Sequence, residues 1–293
     1  MKIALRFHLV CLGLLSAPWV FAQNPTHPPD PSAASSKGLG DLMILPVRVV
    51  LEGRTRAGEV MLKNAGSTPA TYRIFLQEME MTPDGQLQGR TKVEGEISGG
   101  DVIRYSPHQV ELTPGETQIV RIQVRKPENL AEGEYRSHMV FQAIPPAEAP
   151  TSTDPEQENK GLSISIKPIY GISIPIIVRH GETTASVAMS NPEFHPTSSA
   201  DHLPSLTMEL QRQGNRSVMG DIEVVVESGS ALKKGTLIGT DKGVAVYTNL
   251  STRKVTMPLM PGKGVNLKGC RLKLTLTPKD MKAIPVVTML DIP

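Results

Sequence analysis

From Leu42 onward, apolar residues recur at every second position in short runs, and turn-forming residues separate the runs. Side chains along a strand point alternately to opposite faces, so a period of two predicts half-buried strands. The first half of the chain gives such runs at 43–45, 47–51, 59–63, 70–79, 118–124 and 135–144. Pro83-Asp84-Gly85 and Pro114-Gly115 are strong turn signals between them. The second half gives runs at 185–189, 205–212, 221–227, 243–247, 254–260 and 272–276, with turns at Gln213-Gly214-Asn215 and Pro261-Gly262. No window sustains a period of 3.6, so the pattern predicts an all-β chain built as β-sandwiches. A reset in composition after Arg179-His180-Gly181 divides it into a domain over 41–180 and a second, smaller one over 181–293.

The most regular run is 162–178. Its even positions are Leu162, Ile164, Ile166, Pro168, Tyr170, Ile172, Ile174 and Ile176, all apolar. One face is therefore an uninterrupted apolar ridge, longer than a usual strand of about 5–6 residues. It follows 145–161, a charged, Pro-rich loop with no core residues. Exposed strand edges are normally blocked by charge or proline, yet no charge interrupts the ridge before Lys167. Such a strand overhangs its own core and suits β-augmentation, in which backbone bonds hold a partner and alternate side chains fill its pockets.

Composition narrows the setting. Lys2 and Arg6, an apolar stretch and Val20-Phe21-Ala22 read as a signal peptide over 1–22, too short for a bilayer-spanning helix of about 20 residues. Residues 23–40, rich in Pro, Ser and Gly, read as a disordered arm. Cleavage would leave 29 basic against 29 acidic residues, without the basic excess of a nucleic-acid binder. Cys270 would be the one remaining cysteine, so no intrachain disulfide is expected and the core must hold the fold. His27, His108, His138, His180, His195 and His202 show no metal-ligand spacing, and no nucleophile elbow, P-loop or dinucleotide fingerprint occurs. The expectation is a non-enzyme without metal or cofactor.

Five segments in order resemble the PapD-like periplasmic chaperones of chaperone–usher fibres. They are Pro46-Val47-Arg48-Val49-Val50-Leu51-Glu52-Gly53, the strand ending at Asn64, and Leu112-Thr113-Pro114-Gly115-Glu116 with Ile119-Val120-Arg121. Gly133-Glu134-Tyr135-Arg136-Ser137-His138 running to Ile144-Pro145-Pro146 is the fourth. Gly171-Ile172-Ser173-Ile174-Pro175 with Val178-Arg179 is the fifth, and it is nearer the archaic-type branch. The resemblance implies two immunoglobulin-like β-sandwich domains in a boomerang, and a protein that lends a strand to an incomplete fibre subunit.

It also implies site residues. Arg48 falls on the family's carboxylate anchor. The second anchor, a lysine in the classical branch, would lie near Gly171 or Ser173, and Lys167 is its substitute, with Arg104 and Arg73 as weaker candidates. Leu162, Ile164 and Ile166 would be the donated side chains, and Glu134 and Arg179 would orient the two domains. Two cations gripping a carboxylate make charge-assisted bonds and set the register, since a slip of one residue turns the ridge to the wrong face. The implied partners are fimbrial subunits and an outer-membrane usher in the periplasm, with no nucleic acid, no stable membrane insertion, and self-association through the donor strand left open. The competing reading is a structural β-sandwich fibre subunit or surface adhesin. The 23–40 arm lacks the alternating apolar extension a subunit needs for polymerising.

Overall fold

A computed structural model describes residues 41–145, 169–196, 203–279 and 284–293. Residues 1–40, where a signal and an arm are expected, most of the 145–161 segment, and Leu162, Ile164, Ile166 and Lys167 lie outside the described residues.

The first half packs two sheets face to face. One has the order β1 (Leu42–Leu45), β3 (Ala57–Asn64), β9 (Thr117–Val124), β7 (Ile103–Ser106). The other runs β2 (Val49–Leu51), β11 (Gly171–His180), β10 (Gly133–Ile144), β4 (Ala70–Gln77), β8 (Gln109–Leu112). A hairpin of β5 (Met79–Met81) and β6 (Leu87–Gly89) and a single helical turn, α1 (Gly99–Val102), fill the connection from β4 to β7. Alternation explains the core. Val60 and Leu62 of β3, Val120 and Ile122 of β9, Met139 and Phe141 of β10, and Ile174, Ile176 and Val178 of β11 all point inward. Burying each such side chain is worth roughly 1.5–3 kcal/mol.

Two local devices close this sandwich. Asn64 ends β3 fully buried, and its amide donates to the Thr68 carbonyl (2.8 Å) and the Leu112 carbonyl (3.0 Å), tying a loop to the end of β8. The turn at Pro114 needs Gly115 at φ +79, a conformation side chains disfavour, and Glu116 accepts from both Thr113 N–H and Oγ at 2.8 Å.

The second half forms another pair of sheets around its own core. One is β12 (Ala185–His195), β13 (Ser205–Gly214), β16 (Thr252–Pro258). The other is β15 (Leu237–Val246), β14 (Val218–Ser228), β17 (Arg271–Pro278), β18 (Val286–Asp291). Met208, Leu210, Val224, Val226, Leu272 and Leu274 lie at its centre, and Cys270 is buried beside them.

Several expected strand limits shift. The run predicted over 162–178 is a strand from Gly171 to His180 within the described residues, so Arg179 belongs to the strand and the turn waits for Gly181 at φ +66. Five of the six second-half strands run longer than the alternation alone suggests, and the sixth, β16, keeps its length but begins two residues earlier. β7, β8 and β18, absent from the sequence reading, complete sheet edges.

Candidate functional site

The half of the sheet centred on β11 carries the site. In β10 and β11 the residues directly opposite share a face: Glu134 with Arg179, Arg136 with Ile177, His138 with Pro175, Val140 with Ser173. Odd-numbered residues of β10 and even-numbered residues of β11 enter the first core, so this second set points outward. β2 adds Val50 opposite Ile177 in parallel register, which places Glu52 and Arg48 on the same outward face at either end.

At one end stands a buried ion pair. Arg179 Nε donates to Glu134 Oε2 (3.2 Å), with the two side chains only 2% and 0% exposed, and Arg179 Nη1 donates to Glu52 Oε2 (2.9 Å). Glu134 Oε2 also accepts from Ser217 N–H (3.0 Å) and Oγ (2.8 Å) in the second half of the chain. Glu134 thus ties the strand pair, through its bond with Arg179, to the second sandwich.

The middle of the face is covered by Tyr247, just beyond β15. The Arg136 guanidinium lies over its ring, 3.6 Å from Cζ to the centroid, and the His138 ring sits 6.1 Å from it. Burial pushes the Arg136 guanidinium below its ordinary value, and the charge of Arg48 adds to that lowering while Tyr247, Glu134 and Glu78 oppose it. Burial, helped by Arg136, pushes the His138 imidazole down to about 4, so the ring is neutral near pH 7. Burial also raises the Tyr247 phenol, against the charges of Arg136 and Arg48. Next to this face, the β5–β6 hairpin clasps the second sandwich. Asn249 Nδ2 donates to the Met81 carbonyl (2.8 Å), Lys254 N–H to the Pro83 carbonyl (2.7 Å), and Met81 packs with Ala245 and Tyr247.

At the other end β11 is half open. β10 pairs with it along 171–180, but β2 covers its far side only at 176–178, and no strand among the described residues pairs with the far edge of 171–175. Ala143 N–H donates to the Tyr170 carbonyl (2.9 Å). By alternation, even-numbered residues there bond β10, while Gly171 and Ser173 turn their N–H and C=O groups to the open side. Pro175 has no N–H, which an edge tolerates. The apolar ridge emerges from the core at this point: Ile174 and Ile176 are buried, Ile172 is 40% exposed and Tyr170 49%.

Of the sequence-derived residues, Arg48, Glu134 and Arg179 share this face. Arg48 is half buried one residue before β2. Arg104 donates to the carbonyls of Asp101 (2.9 Å) and Ile103 (2.8 Å) beside α1, in the opposite sheet. Arg73, on β4, covers the Phe75 ring at 5.3 Å. Neither contact joins Arg48. Sequence reasoning did not single out Arg136, His138, Tyr247 or Ser217. The signal available for the first two was a pair of polar residues two apart on a strand, which reads as a solvated face.

No protein-family model matches the chain, and no curated protein sequence matches it. Solved structures similar to it include the YadV chaperone (TM-score 0.43, 11% identity, covering 86% of this chain and 100% of that one). The CupB2 chaperone of Pseudomonas aeruginosa gives TM-score 0.42 at 11% identity, covering 86% of this chain and 100% of that one. The CsuC–CsuE chaperone–tip adhesion subunit pre-assembly complex of the archaic chaperone–usher Csu pili of Acinetobacter baumannii gives 0.38 at 16%, covering 73% and 88%. At such scores and identities these likenesses carry no weight of their own.

Proposed function

We propose that the chain is a periplasmic chaperone that captures subunits of a surface fibre by lending them the open edge of β11, and delivers them to an outer-membrane usher. The observation that carries this reading is the half-open edge at Gly171–Pro175, where an apolar ridge leaves the core with its backbone groups turned outward. An added strand would take up those N–H and C=O groups and cover Ile172 and Tyr170. The division into domains over 41–180 and 181–293, the donation of Leu162, Ile164 and Ile166, and a carboxylate anchor of Arg48 with Lys167 belong to the same proposal. Glu134 and Arg179 serve it as orientation residues. The role is non-catalytic and calls on no cofactor.

The test is Ser173→Pro. It removes an outward N–H and leaves the bonds of the even-numbered residues to β10 intact. The variant should melt within a few degrees of the wild type and no longer co-purify from periplasm with a fibre subunit encoded nearby. Undiminished co-purification, or a wild-type protein that captures no subunit, overturns the reading.

A further inference from the structure

The chain crosses from the first sandwich to the second at Gly181, which takes φ +66 directly after β11. Near this crossing Glu134 Oε2 accepts from Ser217 N–H and Oγ. A second set of contacts is made by the β5–β6 hairpin. Asn249 holds Met81 at both backbone groups, donating from Nδ2 to its carbonyl (2.8 Å) and accepting its N–H at Oδ1 (3.3 Å). Lys254 N–H reaches the Pro83 carbonyl at 2.7 Å. The turn of the hairpin ends on Arg253. A Cβ on Gly85 would lie 2.2 Å from both Nε and Nη2 of that guanidinium, so any other residue must push it away. Gly85 also takes φ +88, which side chains disfavour. Arg253 Nη1 donates to the Ala245 carbonyl, which seats the guanidinium on the second sandwich.

The hairpin depends on these contacts as much as they depend on it. It is a two-stranded sheet of its own, with no third strand among the described residues, and β6 is exposed at every position. A lone two-stranded hairpin is only marginally stable in water. Met81 is its one buried residue, and the buried residues it packs with, Ala245 and Tyr247, belong to the second sandwich. Its turn is closed internally, by Thr82 N–H on the Gln86 carbonyl (2.8 Å) and Gln86 N–H on Thr82 Oγ1 (3.0 Å), so it docks as a preformed unit. Two bodies joined by one chain crossing and the contacts beside it keep freedom to turn about that crossing, because a few residues at an element's end can absorb the change in φ and ψ. A second attachment at a separate place removes that freedom.

We propose that the β5–β6 hairpin is a strap that sets the angle between the two sandwiches, latched by Asn249 on Met81 and keyed by Gly85 on Arg253. Unlatched, the second sandwich swings about Gly181 and Tyr247 lifts from Arg136 and His138. Pro83-Asp84-Gly85 is a turn signal in the sequence, and in the fold its glycine serves the turn and the contact with the second sandwich together. Gly85, Asn249 and Arg253 take no part in the open edge of β11, so the strap stands apart from the chaperone reading.

Backbone residual dipolar couplings of the purified protein in a dilute alignment medium test the strap. One alignment tensor should fit both sandwiches of the wild type. In Gly85→Ala combined with Asn249→Ala, each sandwich should keep couplings consistent with its own fold. The tensor fitted to the second should then fall to about 0.6 or less of the first in magnitude, the range order parameters take in flexible parts. Gly115→Ala is the control. It places an alanine at φ +79 in a turn of the first sandwich where a Cβ meets nothing within 4 Å, and should leave a single tensor. The His138 ring gives a second readout. Buried beside Tyr247, it titrates at about 4, and with the strap released its NMR titration should move toward the ordinary 6.5. Two tensors in the wild type, one unreduced tensor in the double variant, or equal splitting in Gly115→Ala overturns the strap. So does a His138 titration left unmoved in the double variant. If the double variant does not fold, Asn249→Ala alone carries the test by the same two measures, and a single unreduced tensor there overturns the strap equally.

Discussion

Replacing Glu134 with alanine should be the most damaging single-charge change in the chain. Its carboxylate is fully buried and takes three hydrogen bonds through Oε2, one from Arg179 at 3.2 Å and two from Ser217 at 3.0 and 2.8 Å. Truncating one partner of a buried pair leaves the other charge uncompensated and costs about 3–5 kcal/mol. Glu52 still touches Arg179 at 2.9 Å, but that carboxylate is half exposed, and such a contact offsets only about 1 kcal/mol. The net loss should be about 3 kcal/mol. At about 2–4 °C per kcal/mol for a chain of this size, the melting temperature should fall by about 6–12 °C. Because Glu134 also holds Ser217, the variant should further separate the unfolding of the two sandwiches. Differential scanning calorimetry reads both effects: a lower first transition and a wider gap to the second. Glu52→Ala is the internal control and should cost no more than about 1 kcal/mol. A loss below that figure for Glu134→Ala, or equal losses for the two variants, would refute the reasoning from burial.

Other outcomes follow from the same geometry. The folded state holds the His138 imidazole at about 4 against an ordinary value of 6.5, so the unfolded chain binds the proton first and stability declines as pH drops from 6.5 to 4. The full loss is on the order of 3 kcal/mol, and urea titrations at stepped pH should show it flattened in His138→Gln. Ile176→Glu, at a fully buried position of the ridge, should unfold the first sandwich, whereas Ile172→Glu at the exposed position should leave the melting temperature nearly unchanged; circular dichroism on both separates core from edge. Asn64→Ala removes the donor to the buried Leu112 carbonyl, a second bond to the Thr68 carbonyl and a loop acceptor and should cost about 1–3 kcal/mol by denaturant unfolding.

What the sequence determined by itself was the class of structure. β9 shows why: Val120, Ile122 and Val124 point inward with exposed polar partners between them, and a period of two admits no other regular element. The turns were equally legible at Pro114-Gly115, where one residue must take a positive φ. Strands without that contrast were not legible. β6 is exposed at every position, and β18 runs apolar on both faces. The continuous even-numbered ridge was also visible, but not where it leaves the core. That point, between the buried Ile174 and the 40% exposed Ile172, is set by the packing around the strand and not by its alternation. Of Glu134, Arg136 and His138 the family resemblance names only Glu134, and the roles of Arg136 and His138 were decided by tertiary structure alone. Alternation assigns these polar residues to solvent, and within the first sandwich they do point away from its core. They are covered because Ser217 and Tyr247, some eighty to a hundred and ten residues later in the chain, close over them. Local pattern records which side of a strand a residue takes, and only the packing of the second sandwich determines whether that side meets water.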